Sequence, residues 1–204
     1  SQAMEPSVSF DTAGTFLITL VSETQHGCKD TANGSLRVYD LPQVRIENPD
    51  SGCVPICHTF SDGSISTDGS IVQWSWNFSG GDPQSSTLQN PVEVCYENPG
   101  TYGVGLSVMS DFGCTAQKRI NNFIDVYPNP SADFSTSAEE VGYNSPVLTF
   151  NDNSSQNVVQ WTWNFGDGSA SFNGGPLETY SYSSFIEKSF NKLNDTLIVT
   201  NEHG

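Results

Sequence analysis

Apolar and polar residues alternate along most of this chain. Tyr102, Val104, Leu106 and Val108 fall at every second position, with Gly and Ser between them. Trp74, Trp76 and Phe78 share one face in the same way, with Ser75 and Asn77 opposite. A period of two is the pattern of a strand buried on one side. Clusters of turn-forming residues separate the runs: Ser61-Asp62-Gly63-Ser64, Asp68-Gly69-Ser70, Ser79-Gly80-Gly81-Asp82-Pro83 and Asn98-Pro99-Gly100. Gly accepts a positive φ, and Asp or Asn bonds the nearby backbone. Between residues 43 and 126 about seven runs can be drawn, at 43–48, 54–60, 71–78, 86–89, 91–96, 101–109 and 115–126. Seven short strands at this spacing predict an all-β, two-sheet sandwich of immunoglobulin type. No stretch has a convincing helical period. The best candidate, Phe185 to Leu193, lacks a clear apolar stripe.

The pattern also repeats. Thr15-Phe16-Leu17-Ile18-Thr19-Leu20, leading to His26-Gly27-Cys28, aligns without a gap with Thr101-Tyr102-Gly103-Val104-Gly105-Leu106, leading to Phe112-Gly113-Cys114, 86 residues on. Leu197-Ile198-Val199-Thr200-Asn201-Glu202-His203-Gly204 is a third copy. Gln73-Trp74-Ser75-Trp76-Asn77-Phe78 recurs as Gln160-Trp161-Thr162-Trp163-Asn164-Phe165, 87 residues on. Val38-Tyr39-Asp40-Leu41-Pro42 resembles Val126-Tyr127-Pro128-Asn129-Pro130, 88 residues on. Three blocks with nearly equal offsets predict tandem modules of about 86 to 88 residues, a usual domain size. The expected division is 1–42 as the C-terminal half of one repeat, 43–129 as a complete sandwich, and 130–204 as a sandwich lacking its last strand. The chain then reads as a window on a longer array.

Trp161-Thr162-Trp163-Asn164-Phe165-Gly166-Asp167-Gly168 resembles the W-D-F-G-D-G signature of the PKD (polycystic kidney disease) domain, and Asn98-Pro99-Gly100-Thr101-Tyr102 resembles that family's P-G-T-Y turn and strand. Asn77 and Asn164 replace the usual Asp, and Ser79-Gly80-Gly81-Asp82 replaces G-D-G. The third repeat has Phe190-Asn191-Lys192-Leu193 in place of P-G-T-Y. It also places Asp195 where Val104 sits, an inward position that predicts a local shift or bulge. An added Gly-Cys after the sixth strand resembles arrays in large secreted surface proteins of gliding bacteria. The resemblance implies an extracellular, non-catalytic module whose Trp76 and Trp163 are core, with Trp74 and Trp161 nearer the rim. Tyr102 and Leu106 are expected in the same core. Because Phe16 matches Tyr102, the ring is expected to matter more than its hydroxyl.

Charge narrows the partners. Acidic residues number 23 against 7 Lys and Arg, a net charge of -16. Nucleic acid and anionic membrane surfaces both call for the opposite sign. Apolar runs are only a few residues long, far short of the roughly 20 that a spanning helix needs, so no membrane insertion is expected. The opening Ser1-Gln2-Ala3-Met4 has neither the charged nor the apolar region of a secretion signal.

Four of the five cysteines, Cys53, Cys57, Cys95 and Cys114, lie in the complete repeat, which suggests an oxidising compartment. The first repeat keeps Cys28, the match of Cys114, but has Ser9 at the match of Cys95. That comparison favours Cys53–Cys114 with Cys57–Cys95, the alternative being Cys53–Cys95 with Cys57–Cys114. A zinc site built on Cys53, Cys57 and His58 is the rival reading. It lacks a second close ligand pair, and strand alternation points Cys57 and His58 to opposite faces.

Catalytic chemistry is hard to find. The three histidines are His26, His58 and His203. His26 and His203 share one turn position, which is Phe112 in the middle repeat and so reads as a packing contact. No nucleophile-elbow, zincin, P-loop or dinucleotide motif is present. Glu139-Glu140 and Asp11 read as solvated acidic surface. Calcium is the one cofactor weighed: Asp62, Asp68, Asp152 and Asp167 lie in Gly- and Asn-rich turns of the kind whose oxygens suit it, without EF-hand spacing. The expected function is a spacer or adhesion module of a secreted or cell-surface protein. Its partners would be neighbouring repeats and a protein or polysaccharide ligand. The alternative is an accessory, carbohydrate-binding region of a secreted hydrolase.

Overall fold

A computed structural model describes residues 6–47, 49–139, 147–155, 157–182 and 195–203. The stretch 185–193, Ser1–Met4, Glu140 and Asn194 lie outside them. Among the described residues there is no helix.

In chain order a long hairpin, β1 (Gly14–Glu23) and β2 (Lys29–Val38), is followed by the short strands β3 (Ile46–Glu47), β4 (Gly52–Cys53), β5 (Ile56–His58) and β6 (Ser61–Asp62). Then come β7 (Ile71–Phe78), β8 (Ser85–Ser86), β9 (Val94–Tyr96), β10 (Gly100–Ser110) and β11 (Thr115–Tyr127). The chain continues with β12 (Phe134–Thr136), β13 (Val147–Asp152), β14 (Val158–Asn164), β15 (Phe172–Gly174), β16 (Leu177–Ser181) and β17 (Thr196–Asn201). Two compact units result. One comprises residues 1–50, 57–96 and 101–124; the other comprises 51–56, 97–100 and 125–204.

In the first unit β11, β10, β7 and β8 lie side by side, and the short pairs β3–β6 and β5–β9 supply further sheet. The alternation read from β7 and β10 is what fills the core. Trp76, Phe78, Val104, Leu106 and Val108 are all buried, together with Phe60, Val94 and Tyr96. The aromatic rings pack at ordinary distances, Phe60 to Phe78 at 4.6 Å and Trp76 to Phe78 at 5.8 Å. In the second unit the sheet β12–β13–β16 and the sheet β15–β14–β17 bury one shared core of Leu148, Phe150, Trp163, Phe165, Tyr182 and Leu197. Each stacked sheet thus hides one face, as in a sandwich.

The two long pairings share one register. Trp76 lies opposite Leu106 and Asn77 opposite Gly105; Trp163 lies opposite Leu197 and Asn164 opposite Thr196. Both ladders shift once near the far end, between Met109 and Ser110 and between Val158 and Gln160. The ladder begins at Thr196, so the bulge expected at Asp195 falls beyond its last pair and beside residues 183–194, which lie outside the described ones. The ladder stays regular to Thr196, and the inward carboxyl is met by the Tyr182 hydroxyl at 3.0 Å.

The Gly-Cys blocks are one kind of turn used twice. Thr24 N–H donates to Cys28 O and Gly27 N–H to Thr24 O; Ser110 and Cys114, with Gly113, repeat both bonds, each at 2.9 Å. Gly27 and Gly113 sit at φ of 80° and 79°, where a side chain is strained. The Thr24 and Ser110 hydroxyls each accept from the cysteine N–H.

Candidate functional site

The cysteines correct one expectation. Cys57 is joined to Cys95, with Cα atoms 4.0 Å apart, between the neighbouring strands β5 and β9. Cys53 and Cys114 are free, so neither Cys53–Cys114 nor the alternative of Cys53–Cys95 with Cys57–Cys114 is formed. The reason lies in β11. Cys53 pairs with Tyr127, the last residue of that strand, whereas Cys114 precedes its first. Thirteen residues of strand span about 40 Å at 3.3 Å each, and a disulfide tolerates at most about 7 Å between Cα atoms. With Cys57 oxidised, the Cys53, Cys57 and His58 set cannot hold zinc. Among the described residues no three His, Cys, Asp or Glu side chains converge as a metal site.

The four aspartates weighed as calcium ligands lie in separate turns, each engaged. Asp62 accepts from Ser64 N–H at 2.9 Å and from the Trp74 indole at 2.6 Å. Asp152 forms the matching turn with Ser154 at 3.0 Å. Burial opposes its ionisation, but Ser154 and the edge of Trp161 outweigh that and hold its pKa below the ordinary value. The Trp161 indole nitrogen itself has no partner at full hydrogen-bond geometry. Asp167 accepts from Ser169 N–H and the Tyr180 hydroxyl, at 3.0 and 2.8 Å, and its carboxyl is lowered despite burial. Asp68 is bound to the Arg37 guanidinium and to Asp40 N–H, at 2.5 and 2.9 Å. Those bonds, the Asp40 amide first, lower its pKa.

Trp76 and Trp163 are each 1% exposed, and each indole donates to a backbone carbonyl, Leu88 at 3.0 Å and Gly175 at 3.1 Å. Leu106 is buried beside Trp76. Trp74 and Trp161 are half-buried. Tyr102 is also only half-buried: its ring lies 4.7 Å from that of Tyr96 and closes over Gly80, where it leaves no room for a side chain and a φ of 73° would strain one. The Tyr96 hydroxyl is buried with no hydrogen-bond partner, and burial together with the nearby Tyr102 pushes its pKa up to about 12. Removing an unsatisfied buried hydroxyl leaves shape intact and relieves desolvation. Tyr96→Phe should therefore be neutral or stabilising by up to about 1 kcal/mol in thermal unfolding. A loss larger than that would show that the hydroxyl has a partner.

The turn position shared by His26, Phe112 and His203 proves to be a stacking site in two of its three copies. Phe112 lies on Tyr39, centroids 3.9 Å apart and 7° from parallel. His203 lies on Tyr127 at 3.4 Å and 2°. Tyr39 and Tyr127 are the matching residues of the Val-Tyr blocks. Around the first stack Arg37 also lies over the Tyr39 ring, 5.4 Å from its centroid. Around the second, Asn201 donates to Pro128 O at 3.3 Å and accepts from His203 N–H at 2.9 Å. The repeat comparison identified both blocks but gave no sign that they meet.

The segment from Asp40 to Ile124, which carries the disulfide, the Trp76 core and both partners of the Tyr102 contact, matches the family model of the PKD domain. Residues 40–124 are thus similar to the PKD domain family. The chain is also similar to "Collagenase ColQ1" of Bacillus cereus (strain Q1), 47% identical over 73 residues. That alignment covers 35% of this chain and 7% of the collagenase. The chain thus corresponds to a small part of that relative. No helix of the described residues is long and apolar enough to cross a membrane.

Proposed function

We propose that the chain is a run of PKD-like modules, 1–42, 43–129 and 130–204, serving as a non-catalytic extracellular spacer that displays or attaches what it is joined to. The observation that carries this reading is the recurring stack of a Val-Tyr tyrosine on a turn ring, Tyr39 on Phe112 and Tyr127 on His203. Each tyrosine belongs to a joint between proposed modules, and each ring to the module that follows. A short, Pro-bearing joint clamped by stacked rings resists bending, which is what a spacer needs. The Arg37–Asp68 pair adds to the first joint. The β1–β2 hairpin supports the reading in another way. Leu17, Leu20 and Val21 are more than half exposed and Ile18 nearly so, as expected of strands whose sandwich partners belong to the preceding part of an array. Negative charge keeps such modules soluble and mutually repelling.

The test is small-angle scattering of the whole chain. A single rigid conformer should fit the wild-type curve, and Phe112→Ala with His203→Ala should require an ensemble of hinged conformers. A wild-type curve that already needs that ensemble rejects the spacer.

The similarity to part of a collagenase favours a second reading, an accessory region of a secreted hydrolase. Retention on an insoluble protein or glycan substrate, with no loss on joint mutation, would favour that reading over the spacer. The neighbouring modules are the first proposed partners; a protein or polysaccharide ligand is the second. The cross-strand disulfide fits a secreted or cell-surface location, since the cytosol keeps thiols reduced.

A further inference from the structure

We infer that the outer face of the β7–β10–β11 sheet carries a binding groove for an acidic polysaccharide, a hydroxyl-rich chain bearing carboxylates. This does not rest on the spacer reading, because a module can hold a ligand whether or not its joints are stiff. The groove has a volume of about 560 Å³ and is lined by Ser75, Asn77, Gly105, Ser107, Gln117 and Arg119, with Lys118 and the buried Leu106 beside them. It exists because the central strand has no side chain at position 105, between polar side chains on the two flanking strands.

That glycine is not required by the fold. A Cβ at Gly105 would meet only Asn77 Cβ and Lys118 O, both at an ordinary 3.9 Å, and its φ is not in the left-handed region. Gly103 is the contrast: its Cβ would come within 2.8 Å of Asn121 O, so close strand approach accounts for it. The other repeats carry threonine at the position of Gly105. Thr196 stands opposite Asn164 as Gly105 stands opposite Asn77, and Thr19 precedes Thr24 by the same interval as Gly105 precedes Ser110. A glycine inside a strand weakens it; this one lies away from the ladder's shift at Met109 and Ser110, which leaves close approach of another molecule or backbone among the usual reasons for it.

The lining defines the ligand. It offers hydroxyls, amides and cations, with no aromatic or exposed aliphatic anchor of the kind that dominates protein interfaces. Such groups match a hydroxylated chain. In a molecule of net charge -16, Lys29, Arg37 and Arg45 are each ion-paired, whereas Lys118 and Arg119 form no ion pair among the described residues. Arg119 makes only a long 3.5 Å contact to the Ser79 hydroxyl, leaving its fork for a carboxylate. Among the described residues Lys118 and Arg119 are thus the cations without an ion pair, and Arg119, on the same strand face as Gln117, flanks the polar groove.

The whole chain should be titrated calorimetrically with hexagalacturonate at low salt, beside a neutral cello-oligosaccharide and hexaglutamate of equal length. The uronate should bind, more weakly as salt rises, and the other two should not. Arg119→Gln should weaken uronate binding tenfold or more. Gly105→Thr should weaken it as much while its melting temperature stays equal or rises, because threonine suits a strand better. No uronate binding at millimolar ligand, equal binding of hexaglutamate or of the neutral sugar, or unchanged affinity in either variant would overturn the assignment.

Discussion

Trp76→Ala is expected to cost the PKD-like domain about 3–5 kcal/mol, enough to unfold most small domains at 37 °C. The indole is 1% exposed and packs on Phe60 and Phe78, with centroids at 6.0 and 5.8 Å. Truncation therefore opens a cavity lined by rigid rings that cannot collapse into it. It also leaves the Leu88 carbonyl without its 3.0 Å donor. Trp76→Phe separates the two effects, since it keeps most of the volume and loses the bond; it should cost about 1–2 kcal/mol. Trp74→Ala gives the comparison within one strand. Trp74 is half-buried and its main tie is the 2.6 Å bond to Asp62, so the expected cost is about 1–2 kcal/mol. Urea denaturation followed by far-UV circular dichroism ranks the three. If Trp76→Ala and Trp74→Ala lose the same stability, the alternation of core and rim along β7 is misread.

That alternation was open to reading in the sequence because strand geometry is local. A period of two places Trp76, Phe78, Leu106 and Val108 inside whatever else the chain does. The turns were legible for a similar reason: a glycine held at φ near 80° in Gly27 and Gly113 has few alternatives. Contacts between distant segments were not legible. Repetition singled out Tyr39 and Phe112 as blocks, yet nothing in either block specifies the other as a stacking partner. The same limit explains Asp68, read as a turn oxygen suited to calcium but neutralised by Arg37 from 31 residues away. Comparison of repeats could say that Cys114 has a counterpart in Cys28, but pairing depends on distance. Strand lengths, which put a whole β11 between Cys53 and Cys114, appear only once the ladder is known. Asp195 shows that an inward polar residue can be predicted and its remedy still missed: Tyr182, 13 residues away, supplies the hydroxyl. Burial raises the pKa of Asp195 and, with that carboxyl beside it, the pKa of Tyr182 as well.

Replacing Cys57 and Cys95 together by Ser is expected to remove about 2–4 kcal/mol, nearly as much as truncating a core tryptophan. The bond joins residues 38 apart in sequence. Closing a loop of that size restricts the unfolded chain far more than the folded one, where β5 and β9 are neighbours already. Cys57 is exposed, so the folded state loses little packing, and the unfolded state gains most of the freedom. Dithiothreitol should therefore lower the melting temperature of the wild type and leave that of the double variant unchanged. Cys53→Ser should move it little, because that thiol is free and makes only 3.6 Å contacts to Asn201. Cys114→Ser should behave likewise, its structural role being carried by the backbone N–H that meets Ser110. Alkylation before and after reduction, read by mass spectrometry, should label Cys28, Cys53 and Cys114 at once and Cys57 and Cys95 only after reduction. Should Cys53 or Cys114 resist labelling in the unreduced, unfolded chain, a second bond exists and the 40 Å separation along β11 has been misjudged.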